Sequence, residues 1–230
     1  DEADLAGLSK FSIGTARAFA QARGYDQGWL FGLNRSRFED FMSYAERREF
    51  RRQLFEGYTG RGLGGVHDNQ AVLLEIVKLR AERAALLGYR SHADYELETN
   101  MARTPEQAEA FLLDIWEAGL DKARQELAEM QAMVQAEGGN FAIEPWDWWF
   151  YAQKLREKKY MLDAELLRPY LELNRVREGA FLAARLLFDV HFVPLKGVSG
   201  WHSSVQSWEV YDGAGRFLGV YMADYHARAN

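Results

Sequence analysis

Histidines are the residues of this chain with the most direct capacity for metal chemistry. A two-histidine zinc helix needs its ligands one turn apart, so that both nitrogens reach one ion about 2.0 Å away, with a glutamate nearby as base. No two histidines here lie four residues apart, and none is followed by Glu. His202 and His226 flank a predicted hairpin and could meet with Asp224 as an improvised site, although isolated histidines beside strands are more often structural. The five histidines are His67, His92, His191, His202 and His226.

The chain offers no recognisable nucleophile. It contains no cysteine, which excludes disulfides, thiolate metal sites and a cysteine nucleophile. The Gly-x-Ser-x-Gly pattern of serine hydrolases is absent. Carboxylate pairs such as Glu126 with Glu129 have nothing around them that would raise a pKa, so they are interpreted as surface residues. Residue types and spacing alone therefore define no catalytic constellation.

Charge argues against nucleic acid as a partner. The formal net charge is −6, which gives no electrostatic reason to expect phosphate backbones. One arginine cluster has helical spacing, but glutamates are interleaved with it, so it predicts a solvated, ion-paired helix face. The glycine-rich segment 60–65 has no preceding strand and no Gly-Lys-Ser/Thr, so we interpret it as a helix connection rather than a phosphate loop. The arginine cluster consists of Arg47, Arg48, Arg51 and Arg52.

Composition predicts a folded chain without a membrane span. Of 230 residues, 48% are hydrophobic and 14% aromatic, which is enough to form a sizeable core. No run of about 18 apolar residues occurs, so a membrane partner is not expected. The first residues carry no signal-peptide pattern and cysteine is absent, so the expected location is the cytoplasm.

Helix signals fill the chain to about residue 190, and strand patterns follow. Ser36 with Glu39 forms a capping box for a helix expected to reach about Thr59, and proline after Thr104 starts a helix of about 30 residues. Residues 207–211 and 217–221 are predicted strands joined by a turn at 212–215, with a further strand at 192–193. The predicted helix starts are Ser9, Ser36, Asp68 or Asn69, Ser91 and Thr104. The fold class is mainly α, a multi-helix body with a small antiparallel β-hairpin or sheet near the C-terminus.

An aromatic cluster, residues 146–151, is the densest feature of the sequence. Five aromatic residues in six positions would cover every face of a helix, so several must be buried against neighbouring helices. An outward subset, Trp149 and Phe150, is the alternative, as a lining for peptide side chains. The arginines that follow are candidates to bind a terminal carboxylate, although ion-paired surface residues are the commoner case. These arginines are Arg168, Arg175 and Arg177.

Seven segments, in order, resemble a family of zinc oligopeptidases. Leu79–Tyr89 is similar to the family's LR-x-x-x-A-x-LLG-aromatic helix end, and Met101–Pro105 to its MA-K/R-TP helix start. Trp146–Tyr151 resembles WD-x-x-YY, with Phe150 in place of the first tyrosine. The other segments are Leu167–Leu173 (with Leu171 where Phe is usual), Val176–Phe181, Trp201-His202 and Gly219–Arg228. The chain thus resembles the M3, or thimet oligopeptidase, family, and the Phe150 replacement favours the peptidyl-dipeptidase branch.

The resemblance implies a zinc metallopeptidase that releases C-terminal dipeptides from short peptides, with a channel between helical halves. Regions 1–145 (helical) and 146–230 (helices and hairpin beside the channel) would both belong to one incomplete catalytic unit. The segment would supply channel wall and a substrate-flanking strand, and the remainder of the catalytic domain would be its partner. The zinc motif His-Glu-x-x-His is absent from the chain, so we expect no bound zinc, no catalytic residue and no activity alone. The implied substrate-binding residues are Trp149, Phe150, Tyr221, Asp224 and Arg228.

Two other readings remain open. The chain could be a non-catalytic helical module, derived from such an enzyme, that holds peptides in its aromatic groove. It could also be an independent enzyme with a site around His202, Asp224 and His226. Coding sequence beyond Asn230 would discriminate the zinc peptidase from the non-catalytic module. A downstream His-Glu-x-x-His favours the peptidase, and a natural stop codon favours the module.

Overall fold

Helices form most of the computed structural model, which describes residues 2–161, 164–198 and 200–226. The helices are α1 (Lys10–Gln21), α2 (Arg35–Tyr44), α3 (Arg48–Thr59), α4 (Gln70–Leu86), α5 (His92–Leu97), α6 (Pro105–Ala136), α7 (Trp148–Tyr160), α8 (Ala164–Leu167) and α9 (Leu173–Phe188). The strands are β1 (His191–Pro194), β2 (Gln206–Tyr211) and β3 (Phe217–Ala223), and short 3₁₀ turns cover Glu2–Leu5, Gly65–His67, Pro145–Asp147 and Arg168–Tyr170. The predicted fold class, mainly α with a small antiparallel sheet near the C-terminus, is confirmed.

Local capping explains where most helices begin. The side chains of Ser9, Ser91 and Thr104 each accept a hydrogen bond from the backbone N–H three residues further on, as predicted. The predicted cap at Ser36 is wrong, because Asn34 is the residue whose side chain accepts from the backbone of Arg37. At the other end of α4, Gly88 has a φ of 84°, which is the left-handed conformation expected of a helix-terminating glycine.

The helix predicted to run from Ser36 to Thr59 is two helices. The chain leaves helical geometry at Ala45, which has extended backbone angles, and re-enters it at Arg48. Ala45 is fully buried at this corner. The buried guanidinium of Arg51 in α3 donates hydrogen bonds to the carbonyl oxygens of Ala45 and Glu46, so the corner is stabilised by a side chain and not by helical backbone bonds.

The chain forms two compact units, Asp1–Met161 and Leu162–Asn230. In the first unit, α2 packs on α3 and α7, and the C-terminal half of α6 packs on α7. Met130 and Val134 of α6 meet Tyr151 of α7 in a buried cluster. The segment that connects α6 to α7 is hydrogen-bonded to Gln131 of α6. The Gln131 amide donates to the carbonyl of Phe141 and accepts from the N–H of Ile143.

The second unit places α9 on a three-stranded sheet of order β1-β2-β3, antiparallel throughout. A turn at 212–215 joins β2 to β3, as predicted, and the Asp212 side chain accepts from the N–H groups of Ala214 and Arg216. A register irregularity lies between Val210 and Tyr211, next to this turn. Among the described helices, none has both the length and the apolar composition needed to cross a bilayer.

Candidate functional site

A buried ion network organises the aromatic segment of the first unit. Asp147 is fully buried, and its carboxylate accepts hydrogen bonds from Arg51 at 2.9 Å and from Arg48 at 2.8 and 3.0 Å. Burial alone would raise the pKa of Asp147, but the hydrogen bonds from the two guanidinium groups outweigh it, so the pKa lies below its usual value. The backbone N–H of Glu144 also donates to this carboxylate, which closes the 3₁₀ turn before α7.

The arginine cluster is therefore ion-paired, as predicted, but it is not a solvated face throughout. Arg47 pairs with Asp4 and Arg52 with Glu56 on the surface. In contrast, only 1% of the Arg51 side chain is exposed. The helical spacing predicted the pairing, but it could not show that α7 and its preceding turn cover one side of α3.

Trp149 and Phe150, the expected groove residues, have partners within the first unit. The ring of Trp149 lies 5.4 Å from that of Phe38 in α2 and 6.2 Å from that of Phe55 in α3. The Phe150 ring lies beneath the guanidinium of Arg51, 4.2 Å from its centre. Both side chains are half-buried, and Phe150 also borders a cleft of about 410 Å³ together with Lys154. Trp146 and Asp147 precede α7 and lie in the 3₁₀ turn, so the aromatic cluster does not sit on one helix.

Tyr221, the expected residue of the substrate-flanking strand, lies in the middle of β3 opposite Trp208. Its ring is 5.7 Å from that of Trp208, 5.8 Å from that of Phe192 and 6.1 Å from that of Phe181. Phe181 and Phe192 stack face to face at 4.0 Å, and this pair joins α9 to β1. The aromatic contacts hold Tyr221 from one side, yet 39% of the residue is still exposed.

Asp224 follows β3 directly and accepts a hydrogen bond of 2.8 Å from the indole N–H of Trp201. Tyr225 lies next to it, and partial burial together with a hydrogen bond involving Tyr221 raises the pKa of the Tyr225 hydroxyl. Tyr221, Asp224 and Tyr225 therefore place three polar groups in and just after the C-terminal part of β3. Arg228, the last expected substrate-binding residue, lies outside the described residues.

The three arginines considered as carboxylate ligands differ in their surroundings. Arg177 of α9 donates to Gln206 at 2.6 Å, pairs with Glu178 at 3.0 Å and lies 5.2 Å from the ring centre of Trp208. Arg175 is an exposed residue of the first turn of the same helix. The side chain of Arg168 lies outside the described part of the chain.

The histidines do not form a metal centre within the described ranges. Over residues 2–161, 164–198 and 200–226, no three His, Asp, Glu or Cys side chains are placed to hold a metal ion. His202 contacts Ser204 through Nδ1 at 2.9 Å, and His191 contacts Asp189 at 3.1 Å. The hypothesis of an independent site at His202, Asp224 and His226 is therefore unsupported, and the described donors do not fit a resident zinc ion.

Two polar contacts are not predictable from the sequence: the pairing of Asp147 with two arginines, and the hydrogen bond between Trp201 and Asp224. Asp147 belongs to the aromatic motif, but no local pattern indicates that it pairs with arginines 96 and 99 positions earlier. The Trp201–Asp224 hydrogen bond joins two different segments of the family resemblance, 23 positions apart. An aspartate inside an aromatic run is a usable signal, because a carboxylate among buried rings needs a cationic partner.

Comparison with known proteins gives the family. The sequence profile of Peptidase family M3 matches residues 41–230, and the chain belongs to this family. The chain is 36% identical over 230 residues to the dipeptidyl carboxypeptidase of Escherichia coli (99% of this chain, 34% of the relative). It is 32% identical to the oligopeptidase A of Escherichia coli over 235 residues (100% and 34%) and 33% identical to that of Haemophilus influenzae over 233 residues (99% and 34%). The chain thus spans about a third of the length of the curated relatives it matches.

Proposed function

We propose that this chain is part of a zinc metallopeptidase that hydrolyses short peptides and releases dipeptides from their C-termini. The observation that carries the proposal is a match to a protein named dipeptidyl carboxypeptidase, at 36% identity over 99% of the chain. The matches to oligopeptidase A, at 32 and 33% identity, support peptide hydrolysis but not dipeptide release. The cytoplasmic location is part of the same proposal.

The role proposed for the second unit is to flank the substrate with β3. Among the described strands, β3 has a neighbour on one side only, which is β2. Seven residues of strand extend about 23 Å, enough to lie alongside a short peptide in extended form. Strand β3 contains no charged residue to discourage pairing at its free edge. An extended peptide adding to this edge would gain backbone hydrogen bonds irrespective of its side chains.

The proposed peptide contacts of β3 and its C-terminal extension come from three residues. One side of the Tyr221 ring packs against the aromatic cluster, and 39% of the residue is exposed. The exposed part of the ring is available to contact a peptide. Asp224 is oriented by the Trp201 indole, and its carboxylate is a suitable acceptor for substrate N–H groups. Arg228 is proposed as a cationic contact on sequence grounds alone.

The role proposed for the first unit is to form channel wall around Trp149 and Phe150. The rings of Phe38 and Phe55 pack against Trp149, and the Arg51 guanidinium packs against Phe150, so packing within the first unit positions both side chains. Zinc would polarise the scissile carbonyl and activate water in the whole enzyme, as in other zinc peptidases. The donors described in this chain do not form such a site, so the proposal assigns them binding and orientation only.

The test uses the polypeptide translated from the complete open reading frame, supplied with zinc, and a peptide offered with a free or an amidated C-terminus. Dipeptide release from the free form, with at least about tenfold slower cleavage of the amide, is expected because a C-terminal dipeptidase recognises the carboxylate. Cleavage of interior bonds, at equal rates in the free and the amidated peptide, would contradict dipeptide release. No cleavage of either peptide would contradict the peptidase assignment. The 230-residue chain alone is expected to cleave neither peptide.

Substrate N-methylation tests the role of β3 without altering the protein. Methylating one backbone amide at a time removes one hydrogen-bond donor from the peptide and leaves its side chains in place. If β3 pairs with substrate, methylation at alternate amides raises KM several-fold, because only every second N–H in a strand points to the same neighbour. A KM that is equal for all methylated peptides would refute β-pairing.

A further inference from the structure

A cleft of about 410 Å³ lies in the first unit where four segments of the chain meet. One wall is a face of α7, because its residues 150, 153, 154 and 157 are spaced by three and four positions. The other walls are Gly7, the segment 43–46 at the end of α2, and Glu137 at the end of α6. We call this space the α7 cleft. Its volume lies within the range of small-molecule pockets in proteins.

Two buried side chains of the α7 cleft carry acceptor atoms that no described residue satisfies. Tyr151 is 6% exposed and Gln153 is 8% exposed. The Gln153 amide donates to Glu157 at 2.9 Å, but its oxygen receives no hydrogen bond from the described part of the chain. The Tyr151 hydroxyl likewise has no partner there, and neither atom is fully enclosed. Because buried polar groups in folded proteins are normally paired, the two acceptors indicate a ligand that donates hydrogen bonds.

The charge around the α7 cleft favours a cation. Three carboxylates border the cleft, against the single ammonium group of Lys154. Lys154 pairs with Glu137, whereas Glu46 and Glu157 have no cationic partner among the described residues. The C-terminal ends of α2 and α6 also reach the cleft, at Tyr44 and Glu137, and helix C-termini carry a partial negative charge.

Lys154 shows which kind of cation the cleft accommodates. Its ammonium group pairs with Glu137 and lies 5.1 Å from the ring centre of Phe150 and 5.7 Å from that of Tyr151. Aromatic faces attract ammonium groups at such distances. A metal ion does not fit, because within the described ranges no three His, Cys, Asp or Glu side chains converge on one position. An ammonium group has three N–H donors and can bind separate acceptors.

We propose that the α7 cleft binds a primary ammonium group carried on an alkyl chain. Tyr151 and Gln153 accept its hydrogen bonds. The carboxylates of Glu46 and Glu157 balance its charge. This binding goes beyond peptide hydrolysis and does not depend on it, because it uses only contacts within the first unit. A lysine side chain, a peptide N-terminus and a free alkylamine share the required chemistry.

Titration of the 230-residue chain with n-pentylamine, followed by calorimetry, tests the proposal. The uncharged control is n-pentanol, which has the same chain length. The amine is expected to bind at least about tenfold more tightly, because hydrogen bonds to a charged group contribute that much. The n-pentyltrimethylammonium ion keeps the charge but has no N–H donor, so it should bind more weakly than the amine. Equal binding of the amine and the alcohol would overturn the proposal.

A matched pair of substitutions separates the cleft from the net charge of the chain. Glu46→Gln removes a carboxylate of the cleft, and Glu49→Gln removes one that pairs with Arg47 outside it. Each variant lowers the negative charge by one. Glu46→Gln is expected to weaken amine binding several-fold, and Glu49→Gln to leave it unchanged. Equal effects of the two substitutions would mean that the amine responds only to overall charge, which would overturn the proposal.

Tyr151→Phe separates the role of the hydroxyl in binding from any role in folding. Removing a buried hydroxyl that has no partner in the described chain should not lower the urea midpoint. Amine binding should weaken several-fold in the same variant. A lower midpoint with unchanged binding would show that the hydroxyl is structural, and the proposal would fail.

Lys154→Met determines the sign of the charge that the cleft binds. Removing the internal ammonium group frees Glu137 for the ligand, so n-pentylamine should bind more tightly than in the wild type. At an anion site the same substitution would weaken binding. Weaker amine binding in Lys154→Met, or a wild type that binds n-pentanoate in preference to the amine, would overturn the proposal.

Three probes identify the source of the ammonium group. N-acetyl-lysinamide offers only a side-chain ammonium, triglycine amide offers only an N-terminal one, and n-pentylamine is the free alkylamine. Binding of any of them to the wild type, with weakening in Glu46→Gln, supports the proposal, and the tightest probe identifies the source. If none of the three binds, the α7 cleft is not an ammonium site.

Discussion

The substitution Asp147→Asn tests whether the buried ion network holds the first unit together. Asparagine keeps the size of the side chain and one oxygen acceptor, but it removes the negative charge between Arg48 and Arg51. Arg51 is only 1% exposed and cannot turn to water, whereas Arg48 is 36% exposed and can be rehydrated. One buried cation is thus left without its counter-charge.

The expected loss of stability follows from that single uncompensated cation. Removing one partner of a buried ion pair costs about 3–5 kcal/mol. Arg51 keeps its hydrogen bonds to the carbonyls of Ala45 and Glu46, which places the expected loss near the lower end, about 3 kcal/mol. With a urea m-value of about 2 kcal/mol per molar for a unit of this size, the unfolding midpoint should fall by about 1.5 M.

The assay is urea unfolding followed by tryptophan fluorescence, since Trp146, Trp148 and Trp149 adjoin the network. Arg47→Ala is the matched control, because Arg47 lies beside Arg48 but pairs with Asp4 on the surface, with side-chain exposures of 48% and 24%. The control should leave the midpoint unchanged. If Asp147→Asn moves the midpoint no further than Arg47→Ala does, the network does not stabilise the unit and the reasoning fails. Replacing both partners, Asp147→Leu with Arg51→Met, should recover part of the loss seen in Asp147→Leu alone.

Three further predictions concern acid, metal and backbone. Because the pKa of Asp147 is lowered by folding, its stabilising contribution is present above the unfolded-state value of about 3.9 and is lost as pH falls towards the folded-state value. Urea midpoints measured from pH 6 down to pH 3 should therefore fall more steeply for the wild type than for Asp147→Asn, and parallel curves would contradict this. The 230-residue chain, exchanged into metal-free buffer, should contain close to no zinc by elemental analysis; stoichiometric zinc would point to His202, His226 and Asp224 as the first ligands to mutate. Gly7→Ala should destabilise the first unit, because Gly7 has a φ of 85° and a Cβ there would lie 2.0 Å from the carbonyl oxygen of Tyr44. Gly24→Ala, with a similar φ of 82° and open space around it, is its control in thermal unfolding, and equal midpoints would refute the role of the clash.

The features predictable from sequence were those with a local cause. Ser9 and Thr104 could be recognised as helix starts because the capping side chain and the N–H it accepts from are three residues apart. The turn between β2 and β3 was predictable for the same reason, since Asp212 bonds to its own loop. The family resemblance came from short motifs in order, and the matched profile confirms it.

The features that sequence reasoning missed depend on contacts distant in the chain. At the interruption between α2 and α3, Arg51 donates to the carbonyls of Ala45 and Glu46 and pairs with Asp147, 96 positions away. The contact with Asp147 cannot be read from the segment 36–59 itself, and the capping pattern there favours a continuous helix. The same limit applies to the candidate site, where Asp224 could be singled out but its orientation by Trp201 could not.

The length of α6 has a consequence for the order of folding. The helix spans 32 residues, about 48 Å, and only its C-terminal half is held by the cluster of Met130, Val134 and Tyr151. Starting a helix is the slow and unfavourable step, whereas extending one adds a hydrogen bond for each residue fixed. The held half can act as a nucleus from which the turns around Phe111 and Trp116 grow. The exposed turns of α6 therefore form by extension of the held half and need no nucleation of their own.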